Sequence, residues 1–169
     1  MEPAASQSLR EGVKAAPGGA AILPRVRYLG LDVGDVRIGV ALSDETATLA
    51  SGLVTLERVG PRKDVKAVAA VVRKHGVGEV VVGIPWRLDG SLGPQGEKVM
   101  GFVQALGRGL KVPVVTWDER FTTVAADELL AEAGVRRRDR KTRIDRAAAV
   151  LILQGYLDAR PALARGEEA

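Results

Sequence analysis

The side chains of this 169-residue chain that could carry out chemistry are mostly carboxylates, lysines, arginines and hydroxyls. The chain has no cysteine and a single histidine, His75. Thiol nucleophiles, disulfides, thiolate metal sites and multi-histidine zinc sites are therefore excluded. Three acids occur where strands and helices would bring them together, and these are Asp32, Glu119 and Asp145.

Asp32 lies near the end of an apolar segment that is typical of a β-strand. Alternate residues of a strand share one face, so Asp32 shares its face with Gly30 and Gly34. Glycine contributes no packing to a strand, and two glycines beside an acid indicate that another group approaches closely. The alternative is an aspartate that ends a strand and enters a turn.

Glu119 follows a second apolar strand, and ligands of open α/β sheets collect at the carboxyl ends of parallel strands. Asp118 is the competing candidate, because neighbouring residues of a strand point to opposite faces. The alternative for Glu119 is a solvated acid that starts the next helix and complements its dipole.

Asp145 lies near the apolar stripe of the last predicted helix, over Ala148, Ala149 and Ile152. An unpaired carboxylate there would be costly, so it requires a cation or several hydrogen bonds. Thr142 and Asp145 also have the spacing of a capping box, which predicts a helix start at this point.

Three acids without cysteine or histidine suit Mg²⁺ or Mn²⁺, because these cations prefer oxygen ligands. A carboxylate cluster beside a basic segment indicates phosphodiester chemistry. In such sites two metal ions about 4 Å apart activate a water and stabilise the leaving oxygen, so no histidine base is needed.

The positive charge of the chain is concentrated in one stretch. The formal net charge is +4, and residues 136–146 alone carry +5. This pattern favours contact with a polyanion such as nucleic acid, and a solvated loop that balances acidic neighbours is the alternative. The candidate nucleic-acid-binding residues in this stretch are Arg136, Arg137, Arg138, Arg140, Lys141 and Arg143.

The periodicity predicts a mixed α/β sheet with helices on its faces. Alternation predicts three strands joined by short connections, an antiparallel meander, over residues 26–33, 36–43 and 53–59. Helices are predicted from Pro61 to His75, from Pro94 to about residue 108, over residues 122–133, and from Ile144 to about Pro161. Parallel strands are predicted over residues 79–84 and 112–117.

We expect residues 1–25, which are rich in Ala, Gly, Ser and Pro, to be a flexible extension. The longest runs without a charged residue have 11 residues, against about 18 for a membrane span. Because Glu2, Glu11 and Lys14 interrupt any signal-peptide pattern, we expect a cytoplasmic protein.

Four sequence blocks in order resemble the YqgF/RuvX family of Holliday junction resolvases and pre-16S rRNA nucleases. The first is Leu31-Asp32-Val33-Gly34 followed by Arg37-Ile38-Gly39-Val40-Ala41. The others are Gly83-Ile84-Pro85 with Asp89-Gly90-Ser91, then Asp118-Glu119-Arg120 with Thr122-Thr123, and finally Ile144-Asp145 with Ala147-Ala148 and Leu151. The resemblance covers about residues 28–157.

The resemblance implies an RNase H-like nuclease domain over residues 26–161, followed by a short tail at 162–169. It also implies that Asp32, Glu119 and Asp145 are metal-binding catalytic acids for Mg²⁺ or Mn²⁺. The expected partner is pre-rRNA or branched DNA. Arg37 and Arg120 are candidate phosphate ligands, and salt bridges to neighbouring acids are their alternative role.

Two other functions compete with a nuclease. A non-catalytic RNA-binding assembly factor could use the same fold and the basic stretch. A sugar kinase or actin-like ATPase would need a second domain and a second phosphate loop, which a chain of this length does not provide. A junction resolvase needs two sites related by a two-fold axis and hence a homodimer, whereas an RNA processor can be a monomer.

Overall fold

The computed structural model describes residues 26–121, 137–164 and 166, without the side chains of residues 121, 137–141, 162 and 164. Strands and helices alternate after an initial three-stranded meander. Their bounds are β1 Arg27–Val33, β2 Arg37–Ser43, β3 Ala50–Glu57, α1 Pro61–His75, β4 Val77–Ile84, α2 Pro94–Gly109, β5 Val114–Asp118 and α3 Arg137–Ala164, with a 3₁₀ turn at Glu119–Phe121 between the last two.

The five strands form one mixed sheet in the order β3-β2-β1-β4-β5. β1 pairs with β2, and β2 with β3, in antiparallel register. β4 is parallel to both β1 and β5. The ends of β1, β4 and β5 therefore lie at the same edge, which we call the carboxyl edge. Because β3 also ends there, α1 begins at this edge.

Each face of the sheet has its own apolar core. Alternate residues of β1 and β4, including Leu29, Leu31 and Val82, pack with Val68 of α1 and Phe102 of α2. On the other face α3 covers the sheet, and the core there comprises Tyr28, Ala41, Ala50, Val81, Ala149, Ile152, Leu153 and Leu157. Burying each large apolar side chain stabilises the fold by ~1.5–3 kcal/mol.

The predicted mixed sheet with helices on both faces is confirmed, including the meander and the helix that starts at Pro61. That helix ends at His75, and the following Gly76 caps it in the left-handed conformation with φ 61°. The third strand of the meander lies at Ala50–Glu57 rather than at 53–59, because it pairs with β2 from Ser43 onwards. The helix predicted over residues 122–133 lies outside the described residues.

No helix of the described part of the chain is long and apolar enough to cross a membrane.

The predicted start of the last helix at Ile144 is wrong. α3 begins at Arg137 and ends at Ala164, so it includes most of the basic stretch and continues past Pro161. Arginine and lysine are good helix formers, and the helix therefore extends through them. The capping box is also wrong, because Thr142 is the sixth residue of the helix, and its carbonyl accepts a hydrogen bond from Thr55 Oγ1 at 3.1 Å.

A buried acid fixes the start of α1 to the carboxyl edge. Asp64 is only 3% exposed, and its Oδ1 accepts hydrogen bonds from the amides of Val59 (2.9 Å) and Gly60 (3.2 Å). Arg58 Nε donates to Asp64 Oδ2 at 3.1 Å, while Arg58 Nη1 donates to the Gly34 carbonyl at 2.9 Å. This network joins α1 to the turn that follows Asp32.

Replacing this acid by alanine, Asp64→Ala, should lower the free energy of unfolding at pH 7 by ~2–4 kcal/mol. The substitution leaves buried amides and a guanidinium without their acceptor. Urea unfolding measures the loss, and Asp158→Ala, which removes an exposed acid of α3, should change the value by less than about 0.5 kcal/mol. Equal stability of the two variants would contradict the assignment.

The effect of Asp64→Ala should also depend on pH. Burial alone would raise the pKa of Asp64, but the hydrogen bonds from Val59, Gly60 and Arg58 outweigh it and hold the pKa below its ordinary value. The stabilisation is therefore complete above the unfolded pKa of about 4 and is lost as the pH falls through the folded pKa. The difference between native protein and variant should shrink below pH 4, as urea unfolding at several pH values would measure.

Candidate active site

Asp32 lies at the carboxyl edge on the face of the sheet that α3 covers. It is the penultimate residue of β1, and its Cα pairs with Gly39 of β2. Residues Tyr28 and Gly30 of the same strand face α3, so strand alternation directs Asp32 to that face. Its carboxyl group is half-buried.

Glu119 reaches Asp32 from the next strand but one. It is the first residue of the 3₁₀ turn after β5, and its side chain crosses β4 above Gly83. A Cβ built on Gly83 would lie 2.6 Å from Glu119 Oε1, so the carboxyl group occupies the space that a side chain would need. The structure thus separates the two candidates that the sequence left open. Asp118 turns away and forms a salt bridge with Arg120 instead.

The carboxyl groups of Asp32 and Glu119 form a hydrogen-bonded pair. Burial raises the pKa of Asp32, and repulsion by Asp145 adds to the rise. Burial also raises the pKa of Glu119, with further rises from the charge of Asp32 and the hydrogen bond between them. The pair therefore retains a proton more readily than two separate acids would.

Asp145 approaches the pair from α3. Its backbone carbonyl lies so close to Gly39 that a Cβ on that residue would overlap it. Since Gly39 is the partner of Asp32, this contact brings Asp145 over the end of β1, and its charge acts on Asp32. All three predicted acids therefore lie at one end of the sheet, with Asp32 and Glu119 in direct contact.

The donor set matches a hard divalent cation, because it consists only of carboxylate oxygens. Among the described residues no group of three or more His, Cys, Asp and Glu side chains has an arrangement that could hold a metal ion. Mg²⁺ commonly uses one or two protein carboxylates and completes its shell with water and substrate phosphate. Asp32 and Glu119 fit that smaller requirement.

The candidate phosphate ligands near the acids are engaged with neighbouring acids. Arg37 Nε lies 3.7 Å from Glu57 Oε1, across the β2–β3 pairing. Arg120 contacts both oxygens of Asp118, at 3.1 and 2.9 Å from Nε and 2.6 Å from Nη2. The salt bridges weighed as the alternative role of these arginines are present in the structure.

The basic stretch lies mostly in the first two turns of α3. Arg136 lies outside the described residues. The backbone of Arg137, Arg138, Arg140 and Lys141 is helical, whereas their side chains lie outside the description, and Arg143 is exposed. Arg137 precedes Asp145 by about two turns of the helix and Arg143 by two residues, so the stretch ends beside the acidic pair.

The close approach that the sequence indicated at the glycines near Asp32 is present at Gly30. A Cβ on Gly30 would lie 2.6 Å from Leu153 Cβ, so the group that approaches it is α3. Gly34 belongs to the β1–β2 turn, where its amide donates to the Arg37 carbonyl at 2.8 Å. Gly39 and Gly83, which the sequence analysis quoted only as members of the family blocks, contact Asp145 and Glu119 respectively. Apart from those blocks, the signal for this role was a glycine within an apolar strand.

Comparison with known sequences decides the family. The profile of the RuvX family, which is described as Holliday junction resolvase, matches residues 26–159. The chain belongs to the RuvX family. A RuvX relative from Caldanaerobacter subterraneus subsp. tengcongensis, named "Putative pre-16S rRNA nuclease", is 51% identical over 79% of this chain and 96% of its own. A relative of the same name from Thermoanaerobacter pseudethanolicus is 48% identical with the same coverage.

Solved structures establish the fold of this RuvX chain. Thermus thermophilus RuvC in complex with a Holliday junction substrate superimposes with a TM-score of 0.50 at 18% identity, covering 80% of this chain and 96% of RuvC. The fowlpox virus resolvase, in complex with Holliday junction DNA, superimposes with a TM-score of 0.51 at 11% identity, covering 80% and 99%. The predicted RNase H-like fold is therefore confirmed.

The substitution Gly39→Ala should lower the free energy of unfolding by ~1–3 kcal/mol, because the new methyl group overlaps backbone rather than a flexible side chain. Gly101→Ala in α2 is the matched control. A Cβ there meets nothing within 4 Å, so this substitution should stabilise the helix by ~0.5–1 kcal/mol. Denaturant unfolding of both variants measures the difference, and a Gly39→Ala protein as stable as the native one would refute the close approach of α3.

Proposed function

We propose that this chain is a divalent-metal-dependent endonuclease that hydrolyses phosphodiester bonds, with Asp32, Glu119 and Asp145 as its acidic residues. The observation that carries the proposal is the hydrogen-bonded carboxyl pair of Asp32 and Glu119 at the carboxyl edge. A half-buried pair of acids repels itself when both are ionised, and the third acid increases the repulsion. A cation between them would turn this repulsion into attraction.

Mg²⁺ or Mn²⁺ is the cation that this pair would hold, because both prefer carboxylate, water and phosphate oxygens. When bound, such ions activate a water molecule and stabilise the leaving oxygen of a phosphodiester. The chain itself positions the carboxyl groups that would hold these ions. Gly83 lets Glu119 reach Asp32, and Gly39 lets α3 bring Asp145 within range of Asp32.

The proposed substrate is pre-16S rRNA, with cleavage at its 5′ end, or a four-way DNA junction, or both. The names of the relatives support the first and the family description supports the second. Resolving a two-fold symmetric junction would require two copies of the chain, whereas cutting RNA would not.

The start of α3 supports a nucleic-acid partner. Its first seven residues contain five basic side chains and one acidic side chain, Asp139. Like charges three or four residues apart on one helix repel each other, so this concentration of cations is unfavourable without an anion. Phosphate groups of a nucleic acid would supply this anion. Because Asp145 follows these cations on α3, phosphates bound here would place the nucleic-acid backbone beside Asp32 and Glu119. We propose Arg37 and Arg120 as further phosphate ligands at the same edge.

The test is cleavage of three labelled substrates: an RNA with the 5′ extension of pre-16S rRNA, a four-way DNA junction and a linear duplex of the same sequence. Each is incubated with Mg²⁺, Mn²⁺ or EDTA. The native protein should cut at least one of them in a metal-dependent manner. Asp32→Asn and Glu119→Gln should each lower the cleavage rate at least ~10²-fold, which corresponds to ~2.7 kcal/mol of lost transition-state stabilisation.

Asp158→Asn serves as the control, because this acid is exposed near the far end of α3 and should leave cleavage unchanged. Binding of each substrate is measured in parallel in EDTA, where Asp32→Asn should retain affinity. Metal-independent binding without cleavage by the native protein would instead identify a non-catalytic RNA-binding factor.

A further inference from the structure

A groove runs between α1 and α2 on the face of the sheet opposite α3. Its volume is about 1040 Å³. The lining residues of α1 and α2 are Pro61, Arg62, Val65, Lys66, Ala69, Arg73, Ala105, Arg108 and Gly109. The groove is distinct from the acidic pair, which lies on the α3 face of the sheet.

The charge of this groove has one sign. Arg62, Lys66 and Arg73 of α1 and Arg108 of α2 are all exposed along it. No acidic side chain of the described residues lines it. Arg62 and Lys66 are four residues apart on one helix, an arrangement in which like charges destabilise the helix. A solvent-exposed surface normally intersperses both signs, so this patch favours an anionic ligand.

The groove has a packed floor. Val65, Ala69 and Ala105 are half-buried beneath the basic side chains. Gly109 lets the helices approach closely, because a Cβ there would lie 2.5 Å from Val65 Cγ1. An apolar floor with basic side chains around it suits a polymer whose charged backbone follows the rim.

The groove is long and continues at its far end. Arg62 and Arg73 are separated by 11 residues of helix, or ~16 Å along its axis. Beyond Arg73 a smaller cavity of about 370 Å³ extends past Gly109 to another cation, Lys111. A series of cations over this distance matches a chain of phosphates better than a single small anion.

The near end of the groove lies close to the acidic pair. α1 begins at the carboxyl edge, and Asp64 in its first turn is tied through Arg58 to the Gly34 carbonyl. Gly34 is two residues after Asp32. A nucleic-acid strand that leaves the acidic pair can therefore pass over this edge and enter the groove at Arg62.

We propose that the α1–α2 groove binds the phosphate backbone of the nucleic-acid substrate on the face opposite the acidic pair. The proposal rests on the proposed function for the identity of the polymer. Arg62, Lys66, Arg73 and Arg108 form ion pairs with successive phosphates and hold the substrate while a distant segment occupies the acidic pair.

The test compares two double variants of the same helix with the same change of charge. Lys66→Gln/Arg73→Gln removes two cations from the groove. Lys63→Gln/Lys74→Gln removes two exposed cations of α1 that do not line it. Glutamine is a good helix former, so both proteins should fold, and circular dichroism with urea unfolding verifies this.

Affinity for the junction and for the pre-16S rRNA fragment is measured in EDTA over a range of salt concentrations. Lys66→Gln/Arg73→Gln should reduce the slope of log affinity against log salt by about 1.4–1.8, since each lost phosphate contact contributes about 0.7–0.9. Lys63→Gln/Lys74→Gln should change the slope much less. A second groove variant, Arg62→Gln/Arg108→Gln, should reproduce the loss. Equal slopes for the groove and control variants would overturn the proposal.

The same measurements separate this proposal from the proposed function. A reduced slope together with no metal-dependent cleavage by the native protein would uphold the groove and refute the nuclease. Equal slopes together with metal-dependent cleavage by the native protein would refute the groove and uphold the nuclease. Binding to vesicles that contain anionic lipid is measured alongside. If vesicle binding is lost in Lys66→Gln/Arg73→Gln while the salt slopes for nucleic acid are equal, the groove binds a membrane surface instead.

Discussion

The placement of the acidic residues depends on one steric constraint: α3 lies against the sheet at positions that carry no side chain. At Gly30 a Cβ would lie 2.6 Å from Leu153 Cβ, and at Gly39 it would overlap the carbonyl of Asp145. A side chain at either position would lift the helix from the sheet. Asp145 would then move away from Asp32, and the apolar core beneath α3 would open.

The close approach of α3 to the sheet has an electrostatic cost, which the stability of the rest of the fold offsets. It brings a third negative charge towards two carboxyl groups that burial already disfavours as anions. The apolar cores on the two faces supply the stability that permits this arrangement. A cluster of acids that costs stability indicates a functional role, and binding a divalent cation together with a phosphate substrate is such a role.

Local patterns predict the elements of this fold better than its contacts. The strand alternation around Ile38 and the helical spacing after Pro61 depend on neighbours in sequence, and both predictions are confirmed. The sequence predicts the start of α3 seven residues too late, because the basic stretch has no apolar period that would indicate a helix, although arginine and lysine are good helix formers. Glu119 and Asp118 were indistinguishable in sequence, since the turn after β5 decides which of them faces Asp32.

The net charge of a stretch of sequence likewise does not show where the charged side chains lie in the folded structure. Outside residues 136–146 the chain has a net charge of −1, which indicated a single basic region. Folding nevertheless gathers Arg62, Lys66, Arg73 and Arg108 along one groove, while Asp64 of the same helix is buried against Arg58. Helix packing separates the two signs, and no sum over the sequence can detect that separation.

The central claim is that Asp32 and Glu119 together form a cation site, and Mn²⁺ binding measured by isothermal titration calorimetry tests it most directly. The native protein and Asp158→Asn should bind Mn²⁺ with equal affinity. Glu119→Gln should bind it at least ~10-fold more weakly, a loss of ~1.4 kcal/mol, because one ionised ligand is replaced by a neutral amide. Equal affinity of the native protein and Glu119→Gln, or no binding by the native protein, would contradict the account.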